Sequence, residues 1–124
     1  SLRGFARLEN VFSGISTVLA DGTSLIDIGN GATIEASFKK SGRVMIFVRP
    51  EDIILSKKPL TSSARNVLRG KIAEISDFGS VVRLRVDAGK QLFVQITKRS
   101  FTEMQFSVGF DVFLTFKASS VHLV

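Results

Sequence analysis

The 124-residue sequence contains no cysteine, no tryptophan, no tyrosine and only one histidine. The absence of cysteine excludes disulfides and thiolate metal sites, and it fits a cytosolic location. One histidine leaves little material for a histidine-based metal cluster or for a Ser-His-Asp triad. We therefore expect no metal site, no catalytic residue and no enzymatic activity in this chain.

Long apolar segments and a phosphate-binding loop are missing as well. No run of about 18 apolar residues is present, so no transmembrane helix is predicted. Ser1-Leu2-Arg3-Gly4 lacks the apolar segment of a signal peptide. Gly70-Lys71 and Gly89-Lys90 lack the spacing and the hydroxyl of the nucleotide-binding pattern Gly-x4-Gly-Lys-Ser/Thr. Because the chain does not begin with methionine, we expect it to be a fragment of a longer protein.

Positive charge is what the sequence has in excess. It carries 17 Lys and Arg against 11 Asp and Glu, for a net charge of +6. Such a balance favours anionic partners, namely nucleic acid, an acidic lipid surface or a small oxyanion. The 11 phenylalanines, without the polar aromatic residues, indicate core filling more than a wet stacking surface.

The hydrophobic pattern has a period of two. Segments such as Ser24 to Ile28 and Arg83 to Asp87 alternate or nearly so, and turn signals such as Gly29-Asn30-Gly31 separate them. Short alternating segments at this spacing predict an all-β barrel or sandwich, with a hairpin at Gly29-Asn30-Gly31. One short helix is predicted from Thr97 to Met104, with Thr97 capping its N-terminus, which is compatible with an OB-like fold.

An internal repeat divides the chain. Asn10-Val11-Phe12-Ser13-Gly14 resembles Asn66-Val67-Leu68-Arg69-Gly70, 56 residues later. Ile46 to Leu55 resembles Leu114 to Leu123 with an offset of 68, and the predicted helix could account for most of the 12 extra residues. We therefore expect two tandem OB-like modules, residues 1–60 and 61–124, with the helix in the second.

Three blocks of the second half resemble the molybdopterin-binding-protein (Mop) domain, which binds the oxyanions molybdate and tungstate despite its name. These blocks are Ser63-Ala64-Arg65-Asn66 followed by Leu68, Gly70 and Ile72, then Ile96 to Ser100, then Lys117 to Val121. The first half ends in Val48 to Ser56, which resembles the C-terminal TOBE (transport-associated OB) region of importer ATPases. Together they resemble the regulatory domain of the ATP-binding subunit of a molybdate/tungstate ABC importer.

This resemblance implies partners and a location. The parent protein would carry a nucleotide-binding domain that uses ATP and Mg²⁺, whereas this chain needs no cofactor. The domain would form a homodimer, with membrane permease subunits as further partners, on the cytoplasmic inner face of the cell membrane. In the family the anion sits between protein copies, and in some importers it slows transport. Arg99 departs from the acidic residue expected in its block.

The matching positions supply the groups that an oxyanion needs. Molybdate and tungstate are tetrahedral dianions without a proton near neutral pH, so a site must offer hydrogen-bond donors. Hydroxyl groups, an amide, backbone N–H groups and two cations can do so, since charge-assisted hydrogen bonds are the strong ones. The predicted ligands are Ser63, Ala64, Arg65, Asn66, Lys117, Ala118 and Ser119. Thr97, Lys98 and Ser100 fit helix capping and surface charge better, and are possible ligands only.

The first half lacks these groups at the corresponding positions. Arg7-Leu8-Glu9 stands where the second half has Ser63-Ala64-Arg65, and Pro50-Glu51-Asp52 where it has Ala118-Ser119-Ser120. Proline has no N–H, and two carboxylates repel a dianion. We expect the first module to be a scaffold that binds no oxyanion. Glu51 and Asp52 are expected on opposite faces of a strand and not as a catalytic pair.

Two other functions remain possible on the sequence. In the first, the chain is a TOBE domain that binds no oxyanion and has the purely structural role of stabilising an ATPase dimer. The other is an OB-type nucleic-acid binder, in which Arg83 and Arg85 with Phe93 would form a stacking platform. The basic residues are dispersed, so we expect no nucleic-acid partner. Molybdate and tungstate are alike in size and charge, and the sequence does not choose between them.

Overall fold

The computed structural model describes residues 9–124, which form ten β-strands, one α-helix and two 3₁₀ turns. The strands are β1 (Val11–Val18), β2 (Ser24–Gly29), β3 (Ala32–Ala36), β4 (Gly42–Val48), β5 (Ile54–Ser56), β6 (Asn66–Asp77), β7 (Val81–Asp87), β8 (Gln91–Thr97), β9 (Asp111–Phe116) and β10 (Val121–Leu123). Helix α1 (Lys98–Met104) follows β8, and the 3₁₀ turns are Pro50–Asp52 and Ala118–Ser120.

The strands form two five-stranded antiparallel sheets, in the orders β10-β4-β1-β2-β3 and β5-β9-β6-β7-β8. They fit two tandem OB-like barrels, so the predicted all-β fold is confirmed. In each sheet one edge strand comes from the other half of the chain, since β5 pairs with β9 and β10 pairs with β4. The division into modules 1–60 and 61–124 therefore stays a proposal about the repeat, because the two halves exchange short strands.

Alternating side chains place one face of each strand in the core. In β7, for example, Val82, Leu84 and Val86 are fully buried, whereas Arg83 and Arg85 between them face outward. This is the pattern that a half-buried antiparallel strand requires. The predicted hairpin is confirmed between β2 and β3, where Asn30 and Gly31 both have positive φ (55° and 76°) as in a type I′ turn.

The predicted helix is also confirmed. Helix α1 begins after Thr97, whose Oγ1 accepts a hydrogen bond from the backbone N–H of Ser100 at 3.1 Å. It ends at Gln105, which adopts the left-handed conformation of a helix C-cap. At seven residues α1 is short, and no helix within residues 9–124 has the length and apolar character needed to cross a bilayer.

The two 3₁₀ turns occupy equivalent places in the repeat. Each turn starts after an extended residue, Arg49 or Lys117, and each leads into a three-residue strand, β5 or β10. The N–H of Asp52 donates to Arg49 O at 3.0 Å, and that of Ser120 donates to Lys117 O at 2.9 Å. The expectation that Glu51 and Asp52 lie on a strand is therefore wrong, because proline at the first position fits a helical turn and offers no N–H to a sheet.

Two buried asparagines join each half of the chain to the opposite sheet. The Asn66 amide accepts from Glu35 N–H at 2.7 Å and donates to Glu35 O at 2.8 Å, on the edge strand β3. The Asn10 amide makes the same pair of bonds with Phe93 on the edge strand β8, at 2.7 and 2.8 Å, and also donates to Val48 O. Each amide thus acts as one extra residue in a strand ladder and holds the halves together.

Candidate functional site

A cavity of about 250 Å³ lies where the segment before β6 meets the turn Ala118–Ser120 and the first half of the chain. Its lining residues are Asp52, Ile54, Ser62, Ser63, Ala64, Phe116, Lys117 and Ser120. Ser63 and Ala64 come from one predicted block and Lys117 from the other. The structure therefore brings residues of the two blocks to the same cavity.

The cavity is lined by both apolar and polar residues. Of the apolar residues, Phe116 is almost fully buried and Ile54 is exposed. The polar lining residues include three serines, Ser62, Ser63 and Ser120, together with Lys117. The Ser62 Oγ accepts a hydrogen bond from the N–H of Ala64 at 3.2 Å, which orders the segment as a small turn. Serine hydroxyls and a lysine ammonium group are side chains that can donate hydrogen bonds to a small anion.

The other four predicted ligands surround the cavity without lining it. Arg65 forms an ion pair with Glu35 at 2.7 Å, and the Asn66 amide is engaged by the backbone of the same glutamate. Ala118 O accepts from Ser37 N–H at 3.2 Å, and Ser119 is exposed on the turn. Their direct contact with an anion stays a prediction, since these groups already have roles in the fold or point to solvent.

The possible ligands near α1 lie outside the cavity. Thr97 and Ser100 form the helix cap and line a second cavity of about 430 Å³. The residues that line that cavity are Glu51, Ile53, Ile54, Leu55, Val81, Gln95, Ile96, Thr97, Ser100, Met104 and Phe106. No Lys or Arg is among these lining residues, so despite its larger volume this cavity does not suit a dianion. Lys98 forms an ion pair with Asp77 and lies outside both cavities.

The ion pair with Lys98 yields a prediction about acid stability. The hydrogen bond from Lys98, followed by that from Gly79 N–H, lowers the pKa of Asp77 below its ordinary value of 3.8. A carboxyl whose folded pKa is lowered stabilises the fold above about pH 4 and loses that contribution as pH falls. We expect Asp77→Asn to lose less stability than the wild type between about pH 4 and 2, measured by urea unfolding midpoints. If the urea midpoints of the wild type and of Asp77→Asn fall in parallel over that pH interval, the lowered pKa of Asp77 is contradicted.

The arginines of the nucleic-acid alternative are already paired. Arg83, Arg85 and Phe93 do line one small pocket of about 140 Å³. However, Arg83 forms an ion pair with Glu9, and Arg85 forms one with Glu74 at 3.2 Å. Each guanidinium therefore faces a carboxylate, and the pocket offers little net positive charge to a phosphate backbone.

Sequence reasoning missed three polar residues that line the cavity, as well as the apolar Ile54 and Phe116. Ser62 and Ser120 are direct neighbours of predicted ligands, so extending each block by one polar residue would have found them. Asp52 gave no such signal, because it enters the cavity only through the crossing of the two halves. Within residues 9–124 no group of three or more His, Asp or Glu side chains is placed to hold a metal ion.

Comparisons with known proteins agree with this architecture. Residues 62–123 match the family model of the TOBE domain. The molybdate/tungstate import ATP-binding protein WtpC of Pyrococcus abyssi is 37% identical over 118 residues, covering 94% of this chain and 33% of the relative. WtpC of Pyrococcus horikoshii is 32% identical over 120 residues, covering 96% of this chain and 33% of the relative. The chain therefore spans about a third of the length of these curated relatives.

Other relatives extend the comparison. The molybdenum import ATP-binding protein ModC of Haemophilus influenzae is 37% identical over 81 residues, covering 64% of this chain and 23% of the relative. A crystal structure of the cytoplasmic molybdate-binding protein ModG with molybdate bound superposes with a TM-score of 0.78, covering 95% of this chain and 96% of the other. At 21% identity this likeness shows the fold alone. The family match over half of the sequence shows that the chain belongs to the TOBE domain family.

Proposed function

We propose that this chain is the regulatory domain of the ATP-binding subunit of a molybdate/tungstate importer and that it binds the oxyanion in the 250 Å³ cavity. The observation that carries the proposal is the meeting of Ser63, Ala64 and Lys117 around one cavity. These residues belong to two blocks far apart in the sequence. The importer ATP-binding proteins of similar sequence and the molybdate-binding protein of similar fold support the same class of ligand.

The chemistry of the cavity suits an anion that accepts hydrogen bonds and donates none. Serine hydroxyls rotate freely to donate, and Lys117 adds a charge-assisted bond. Ala64 has a small side chain, which lets the backbone of its segment approach a bound anion. Phe116, which is almost fully buried, adds an apolar surface to the lining. Hydrogen bonds and charge–charge attraction are stronger where water is partly excluded.

The wider setting follows from the relatives and is part of the proposal. The portion of the parent protein outside this chain would bind ATP and Mg²⁺ and contact the permease subunits in the membrane. This chain would be non-catalytic and cytoplasmic, form a homodimer, and change the rate of uptake when the anion is bound. The first half would act as a scaffold. In the structure the first half supplies Glu35 beside the cavity. The Glu35 carboxylate forms an ion pair with Arg65, and its backbone O accepts a hydrogen bond from the Asn66 amide.

Anion-dependent thermal stability tests the proposal. Because the chain has no tryptophan or tyrosine, a dye-based melt is the suitable probe, with molybdate, tungstate, sulfate and phosphate compared. At one hundred times its dissociation constant an anion should stabilise the fold by about 2.7 kcal/mol. That corresponds to a rise in Tm of about 10 °C for a domain of this size. We expect Lys117→Met and Ser63→Ala to lose most of this rise.

Lys39→Met is the matched control, because Lys39 is exposed and lies outside the cavity. It should keep the full rise, which separates a local role of Lys117 from the general loss of one positive charge. If neither molybdate nor tungstate raises the Tm of the wild type, the oxyanion proposal fails and a purely structural dimerisation domain is favoured. Anomalous scattering from a tungstate-soaked crystal would locate the anion directly.

A further inference from the structure

One residue of the cavity has the wrong charge for an oxyanion site. Asp52 lines the cavity together with the serines and stands at the end of the 3₁₀ turn Pro50–Asp52. Lys117 is the other charged residue among those that line the cavity. Within residues 9–124 the Asp52 carboxylate has no ion-pair partner within 4 Å, and no hydrogen bond to its side chain is formed. Its charge therefore acts on whatever occupies the cavity.

The repeat shows that this carboxylate is an alternative to a hydroxyl. With the offset of 68 residues, Asp52 corresponds to Ser120. Because the two halves exchange strands β5 and β10, both turns reach the same cavity, and these two equivalent residues line it together. Serine at this position is compatible with the turn geometry, as Ser120 itself demonstrates. The local backbone therefore does not require an acidic side chain.

We propose that Asp52 sets the charge of the anion that the cavity accepts, an inference that rests on the proposed function. A bound anion is attracted by Lys117 and repelled by Asp52. The Coulomb energy is proportional to the product of the charges, so the repulsion by Asp52 is twice as large for a dianion as for a monoanion of the same shape. Asp52 thus holds down the affinity for dianions and narrows the preference for them over monoanions.

Tungstate and perrhenate provide the test, because they are tetrahedral oxyanions of similar size with charges of −2 and −1. Their dissociation constants are measured by isothermal titration calorimetry at one pH and ionic strength, for the wild type, Asp52→Asn and Asp52→Ser. We expect each substitution to tighten tungstate binding about tenfold, which corresponds to about 1.4 kcal/mol. Perrhenate should gain about threefold, since its Coulomb term is half as large. The preference for tungstate then rises about threefold.

Glu51→Gln is the matched control. Glu51 is the neighbouring carboxylate, it is exposed, and it lines the larger cavity instead. It should leave the tungstate-to-perrhenate ratio unchanged. Asp52→Ser serves as the second variant if Asp52→Asn folds poorly, because serine already occupies the equivalent position of the other turn. A thermal melt without anion checks that both variants are folded.

The possible failures are distinguishable. If tungstate binds to the wild type and the ratio is the same in both Asp52 variants, the role of Asp52 is refuted while the oxyanion site stands. The role of Asp52 is refuted as well if Glu51→Gln changes the ratio as much as Asp52→Asn, since the effect would then be one of general surface charge. If tungstate binds neither the wild type nor Asp52→Asn at millimolar concentration, the proposed function itself is refuted.

Discussion

Alanine at Gly14 or Gly70 is expected to lower the free energy of unfolding by about 3 kcal/mol, because neither position has room for a β carbon. A β carbon on Gly14 would lie 2.5 Å from the backbone O of Asp27 and 2.8 Å from a methyl carbon of Ile26. On Gly70 it would lie 2.7 Å from the backbone O of Asp87. A carbonyl oxygen held in a sheet cannot rotate away as a side chain can, so the strands themselves would have to separate.

The two glycines are equivalent in the repeat, and both sit in central strands. β1 lies between β2 and β4, and β6 lies between β7 and β9, so a shift at either glycine disturbs pairing on both sides. Urea unfolding gives the change in stability directly. Ser13→Ala is the control for β1, because Ser13 is adjacent and exposed, and it should change stability by less than about 0.5 kcal/mol. A loss below about 1 kcal/mol for both glycine variants would show that the strands yield easily.

The repeat explains how much of the fold could be predicted. Asn10 and Asn66 begin the two copies, and the structure gives them the same bonds to an edge strand. Period-two alternation likewise predicted the long strands, because each has one face in the core. The exchange of β5 and β10 could not be predicted, because three-residue strands carry too little pattern to indicate a partner. Their pairing depends on the path of the whole chain.

The same limit applies to the candidate site. Ser63, Ala64 and Lys117 could be assigned from sequence blocks, and they do line one cavity. Arg65 offered the expected guanidinium, but its ion pair with Glu35 depends on an approach between the two sheets that local sequence does not encode. Asp52 enters the cavity for a related reason, because the strand exchange carries a turn of the first half to a site of the second. In both cases the feature that could not be predicted is a contact between residues far apart in the sequence.

Aspartate at Asn66 is expected to lower the free energy of unfolding by about 3 kcal/mol at pH 7, although it has the same shape. The amide nitrogen donates to Glu35 O at 2.8 Å, and a carboxylate there would place two oxygens in contact and bury a charge on a residue that is 4% exposed. Removing a buried donor and adding an unpaired charge both carry a large cost. Asn10→Asp should lose at least as much, because its amide donates to both Val48 O and Phe93 O.

The pH dependence separates this explanation from a simple loss of packing. Burial raises the pKa of the introduced carboxyl above its unfolded value of about 3.9. The protonated form can donate to Glu35 O, so the loss in stability should be small below about pH 4 and grow as pH rises. Asn30→Asp is the control, since Asn30 is exposed and makes a single bond to Gly89 O at 2.9 Å. Urea midpoints from pH 3 to 8 check this, and a pH-independent loss for Asn66→Asp would contradict the donor role.

The same variant connects stability to the site. Asn66 directly follows the Ser63–Arg65 segment, and its amide ties that segment to the edge strand β3 beside the cavity. When this link is broken, even the folded variant should bind tungstate more weakly than the wild type does, because the hydrogen-bond donors are no longer held in position. Calorimetry at a temperature where the variant remains folded measures this directly. Unchanged tungstate affinity in folded Asn66→Asp would show that the cavity keeps its shape without the link.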